Sequence, residues 1–145
     1  MSMNWRDALF TPRGFLMVGG AVLLIVGILG FFVLKDPSLS FFWLDRSENV
    51  AHVVLGIVAL AAVYVPSLNT MLEPYYKWIV VLVGVIALFF GVYGFIVPAG
   101  SPAAPNTFGL ANLELGDNLL HLVIAAWAFA AAFMAPSRMM TSSRP

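Results

Sequence analysis

The chain has 145 residues, 61% hydrophobic and 10% charged, with seven basic and seven acidic side chains and no net charge. Soluble domains run about 45–50% apolar and about 25% charged, so this composition, with a mean hydropathy of +0.95, excludes a water-coated globule. The balanced charge argues against a nucleic-acid partner, which would need a basic patch, and the lack of cysteine excludes disulfides, thiolate metal sites and a Cys nucleophile.

Four apolar runs follow in chain order: Phe15–Leu34, Val50–Val65, Trp78–Val97 and Leu119–Met134. Spans of roughly 20 residues would use about 80 of the chain and leave about 65 for loops and tails. That suits a single membrane domain over 1–145 and leaves no room for a second. Backbone groups in lipid must bond internally, so each run is expected to be an α-helix. The second and fourth are short, and their helices are expected to begin earlier, near Ser47 and Asp117. The first run follows Arg6 and Arg13 as a leader would. Its apolar length exceeds the roughly 7–15 residues of a signal peptide, however, and no small-x-small cleavage site follows it, so it reads as an uncleaved span.

Prolines punctuate the runs. Pro37, Pro66, Pro98 and Pro136 each follow one, as expected of a residue that cannot continue the helical ladder. Aromatics mark the interfaces: Phe41, Phe42 and Trp43 before the second span, and Tyr75, Tyr76 and Trp78 at the start of the third. The loop Pro98–Gly116 is the longest, and Leu110–Leu115 within it is expected to lie as an amphipathic turn on the surface. Arg6, Arg13, Lys77, Arg138 and Arg144 fall on one side, against Lys35 and Arg46 on the other. The excess of positive charge places both termini in the cytoplasm.

Two halves of the chain align. Glu48-Asn49-Val50-Ala51-His52 matches Asp117-Asn118-Leu119-Leu120-His121 at an offset of 69, and Gly20, Gly27 and Gly30 match Gly84, Gly91 and Gly94 at an offset of 64. The expected fold is therefore all-α: four transmembrane helices in two tandem helical hairpins, about 14–66 and about 77–135. The hairpins should form a parallel repeat about an axis along the membrane normal. The glycines, with Gly56, are expected to let helices approach closely. Clearance for a cofactor would use the same residues.

The acid, Asn and His of each half share one helical face, because residues three and four apart meet. His52 and His121 are the only histidines. They are expected at equal depth, with the Asn/His faces meeting near the pseudo-twofold axis. On one reading Glu48 and Asp117 offset the helix dipoles, and Asn49, Asn118 and the histidines bond across the bundle. On another, His52 and His121 clamp a b-type haem, or Glu48, His52, Asp117 and His121 hold a divalent metal. Carboxylate and His side chains on facing helices do so in four-helix bundles, but with the acid at i−3, not i−4. Proton handling is a third reading, and four spans with no midplane charge make a poor ion path. Trp127 is expected to pack or face lipid. No Ser-His-acid elbow, P-loop or dinucleotide fingerprint occurs.

Through Asn49, His52 and Gly56, then Asp117, Asn118 and His121, the chain resembles a family of small bacterial four-helix membrane proteins of unknown function. Their signature is similar to Asn-x-x-His-hydrophobic-x-x-Gly with a later Asp-Asn-x-x-His echo; here Ala125 replaces the second glycine. The resemblance implies a bacterial cytoplasmic membrane and no established activity. The expected role is non-catalytic: a polytopic protein in the lipid bilayer that packs as a homo-oligomer or within a larger membrane complex, with a haem or metal carrier as the alternative.

Overall fold

A computed structural model describes residues 9–34, 43–44, 46–97 and 115–134. Within them the chain is helical, with no strand. The first helix, α1, runs Pro12–Phe32. Thr11 caps it, its hydroxyl accepting from the Gly14 amide at 3.1 Å, and Pro12 fills the first turn, where an N–H has no helical partner. After α1 ends, the Leu44 amide returns to the Leu34 carbonyl at 2.7 Å. Helix α2 runs Arg46–Tyr64 and stops where Pro66 opens a short helix, α3, Pro66–Leu72. A 3₁₀ turn, Glu73–Tyr75, leads into α4, Tyr76–Ile96. Helix α5 runs Leu115–Phe133. Four of these segments are long and apolar enough to cross a membrane.

The expected spans are thus present, each beginning two to four residues earlier than its apolar run. The segment between the second and third spans is itself helical, a feature that its polar and proline residues concealed. Pro37, Pro98, Pro136, Phe41, Phe42 and the turn expected from Leu110 lie outside the described residues, except that Leu115 belongs to α5.

Two hairpins make the bundle. Helix α1 packs along α2, and α4 along α5; α1 also meets α4 and α5 more sparsely. The start of α1, the end of α2, the start of α4 and the end of α5 share one end of the bundle, here the terminal end. The opposite, loop end holds the starts of α2 and α5. The buried apolar core gathers at the terminal end, where Phe15, Leu16, Ala62, Val63, Val80 and Ala132 interlock. Outward rows stay apolar and exposed, as with Leu82, Val85, Ile86 and Phe89 on α4. Such rows suit acyl chains, since lipid is as apolar as the side chains themselves.

Candidate functional site

The glycines make contacts of the same kind in the two hairpins. A Cβ on Gly27 would lie 2.8 Å from the Val53 amide nitrogen and 2.9 Å from the Asn49 carbonyl oxygen. One on Gly91 would lie 2.8 Å from the Leu122 side chain and 3.1 Å from the Asn118 carbonyl oxygen. Gly20 meets Ala59 and Leu60, and Gly84 meets Ala128 and Phe129. A Cβ on Gly56 would lie 2.7 Å from the Leu24 nitrogen of the α1 backbone. The contacted residues of the second hairpin are those of the first shifted by 69. Cofactor clearance is therefore corrected: the opposing helix fills the space that the missing side chains leave.

The two asparagines complete this packing. The place where a Cβ would stand on Gly30 is taken by Asn49 Oδ1, and that on Gly94 by Asn118 Oδ1. A Cβ replaces one Cα hydrogen, so in each hairpin that hydrogen points at an amide oxygen. Cα–H···O contacts of this kind recur where helices pack closely. Asn49 Oδ1 is buried and has no conventional donor, which makes the glycine hydrogen its polar contact. The expectation that Asn49 bonds across the bundle is corrected accordingly. Each tethers a helix to its own hairpin partner, α2 to α1 and α5 to α4, because only there is a glycine close enough to receive it.

The acids sit beside the asparagines. Glu48 and Asp117 each stand in the first turn of their helix, where a carboxylate complements the dipole. Both are only 2% exposed, as is Asn49, and Asn118 is 3% exposed. Asp117 Oδ2 lies 3.2 Å from His121 Nδ1, and the same ring nitrogen is 3.0 Å from the Asp117 carbonyl oxygen. The imidazole tilts against Phe90 of α4, centroid to centroid 5.8 Å. His52 departs from this pattern, since its Nδ1 is buried with no hydrogen-bond partner.

The joint metal set of Glu48, His52, Asp117 and His121 is a further correction. Among the described residues no three His, Asp or Glu groups stand at metal-holding spacing. The acids are turned into the helix packing, and one oxygen of Asp117 faces the histidine one turn on.

A second polar group holds the terminal end, and sequence reasoning passed it over. Arg13 of α1 donates through Nη1 to Asn69 Oδ1 of α3 at 2.5 Å. The Tyr76 hydroxyl of α4 reaches the Ala62 carbonyl of α2 at 2.6 Å and the same Asn69 oxygen at 2.9 Å. A phenol has one proton to donate, and the shorter contact makes Ala62 its acceptor. Trp127 packs its ring on Phe15, with centroids 4.6 Å apart, and donates its indole N–H to the Leu9 carbonyl at 2.6 Å. The packing role expected for Trp127 is the one observed. Asn69 carried no periodic signal, since its side-chain partners come from two other elements, α1 and α4.

Comparison of the chain with protein families, with curated proteins and with solved structures finds no match.

Proposed function

We propose that the protein is a non-catalytic, four-span component of a bacterial cytoplasmic membrane that packs with itself or within a larger membrane complex. The observation that carries this reading is the use made of the polar residues in the spans: Asn49 is seated on Gly30 and Asn118 on Gly94. These side chains serve helix packing, and the outward rows are apolar. The matched seats support descent of the two hairpins from one duplicated unit. The resemblance at Asn49, His52, Asp117, Asn118 and His121 supports the bacterial setting. Five basic residues against two support a cytoplasmic position for the terminal end.

Native mass spectrometry after extraction into lipid nanodiscs tests the reading. A defined homo-oligomer or a companion protein at fixed stoichiometry is the expected result. A lone monomer from lipid-preserving extraction overturns it. Reporter fusions at both ends of the chain, active only in the cytoplasm, test the orientation.

A further inference from the structure

The two hairpins repeat their packing but not their outward faces. Arg46, Ser47, Val50, Ala51 and Val54 of α2 line a shallow, open groove of about 610 Å³. The corresponding positions on α5, at the offset of 69, are Leu115, Gly116, Leu119, Leu120 and Val123. The second hairpin therefore has leucine where the first has its arginine, and leucine again where the first has Ala51. The pattern on α2 matches an amphiphile laid along a helix. Its cation stands at the first residue of α2, and the side chains toward the midplane are apolar. Eight residues of rise separate Arg46 from Val54, about 12 Å of helix. That is most of the roughly 15 Å of hydrocarbon in one leaflet.

We propose that this groove is a site for one anionic phospholipid, its phosphate held by Arg46 and an acyl chain lying along Val50, Ala51 and Val54. A guanidinium offers a fork of N–H donors that fits phosphate oxygens. Arg46 is exposed, and among the described residues it has no ion-pair partner. Of the acids nearest in sequence, Glu48 is withdrawn into the packing, and Asp45 lies outside the described residues. Val50 and Val54 are each about half exposed. A soluble anion would meet the arginine and leave both valines bare, whereas a lipid covers them. Ala51 leaves room that a leucine would take up. The inference stands on this face of α2 alone and is independent of the role proposed above.

Native mass spectrometry of the whole chain tests it, with phosphatidylglycerol and phosphatidylcholine of the same acyl chains added. One phosphatidylglycerol per chain should be retained in preference to phosphatidylcholine by about fivefold, the worth of one arginine at an anionic lipid surface. R46L, which gives α2 the residue that α5 carries, should erase that preference. R46K should keep part of it, with the charge but not the fork. A51L should weaken retention of both lipids. Glycerol 3-phosphate, which has the charge without the chains, should not displace bound phosphatidylglycerol. Equal retention of the two lipids by the native chain overturns the proposal, and that measurement needs no variant to fold. A preference that survives in R46L, unchanged retention in A51L, or displacement by glycerol 3-phosphate also overturns it. The absence of cysteine allows one further check. Efficient disulfide cross-linking of V54C between chains, in nanodiscs containing phosphatidylglycerol, would put a second copy on this face in place of the lipid and overturn the proposal.

Discussion

The terminal end and the loop end of this bundle solve one problem in opposite ways. The first is largely apolar, built from Phe15, Leu16, Val80 and the small residues of α5, with one buried hydrogen bond from Tyr76 to Ala62 and another from Trp127 at its margin. The second is polar, with Glu48, Asn49, Asp117 and Asn118 withdrawn from the surroundings. In water the first would dominate stability. In a bilayer it loses that advantage, because a leucine touching lipid is nearly as content as one touching another helix, and shape complementarity alone remains. The polar end has no such alternative. An amide or carboxylate turned toward acyl chains is costly, so the loop end specifies which helix faces which. The difference teaches that in this chain the core holds and the polar face selects.

Substitution can break that comparison, and the largest effect should come where backbones touch. Gly27→Val forces a branched side chain onto the α2 backbone 2.8 Å away. It should destabilise the protein by about 3 kcal/mol, at the upper end of overpacking costs, measured by reversible unfolding in bicelles. Gly91→Val should cost less, because the nearest atoms there belong to the Leu122 side chain, which can move, and the Asn118 carbonyl oxygen is 3.1 Å away. A smaller cost separates packing from polar tethering. Gly30→Ala should destabilise by about 2 kcal/mol, because the new methyl takes the place of Asn49 Oδ1. Asn49→Gly made in the same chain should recover part of that loss. A double-mutant cycle should show coupling of about 1 kcal/mol, and strict additivity would show that the oxygen and the glycine hydrogen do not meet.

The third substitution pair contrasts the two ends directly. Asp117→Ala removes a buried carboxylate from beside His121 and should cost about 1.5 kcal/mol. Tyr76→Phe removes only a hydroxyl at the terminal end and should cost about 0.6 kcal/mol, the average for a hydrogen bond between membrane helices. Thermal unfolding in one detergent suffices to rank them. An equal or inverted ranking would end the distinction between a selecting end and a holding end.

The spans were legible because apolar length is a one-dimensional property. Even the start of α1 was available in Thr11-Pro12, a cap followed by a first-turn proline, although the apolar run begins only at Phe15. The pairing of Gly30 with Asn49 and Gly94 with Asn118 was half legible. Both members were marked by the alignment of the two halves, but their meeting depends on a hairpin register that no local pattern records. The placing of Asn49 across the bundle failed for that reason. Helical spacing put Asn49 and His52 on one face, but a face is wide enough for Asn49 to touch α1 at Gly30 while His52 Nδ1 finds no partner. The meeting of Arg13, Asn69 and Tyr76 stayed hidden because Arg13 lies far from the other two in the chain and no local pattern records its pairing with Asn69.

The self-contained seats have a consequence for how the protein is made. When the ribosome has delivered α1 and α2, Gly20, Gly27 and Gly30 already have their partners on α2. The first hairpin can therefore close before α4 exists, with Asn49 sheltered from lipid. Chains grow at roughly 5–20 residues per second, so this half-protein waits several seconds in the bilayer for its counterpart. A lock placed between hairpins would leave that intermediate with an exposed amide for the whole interval. Assembly then consists of two finished pieces docking side by side, and the last surfaces to meet are those of the apolar terminal core.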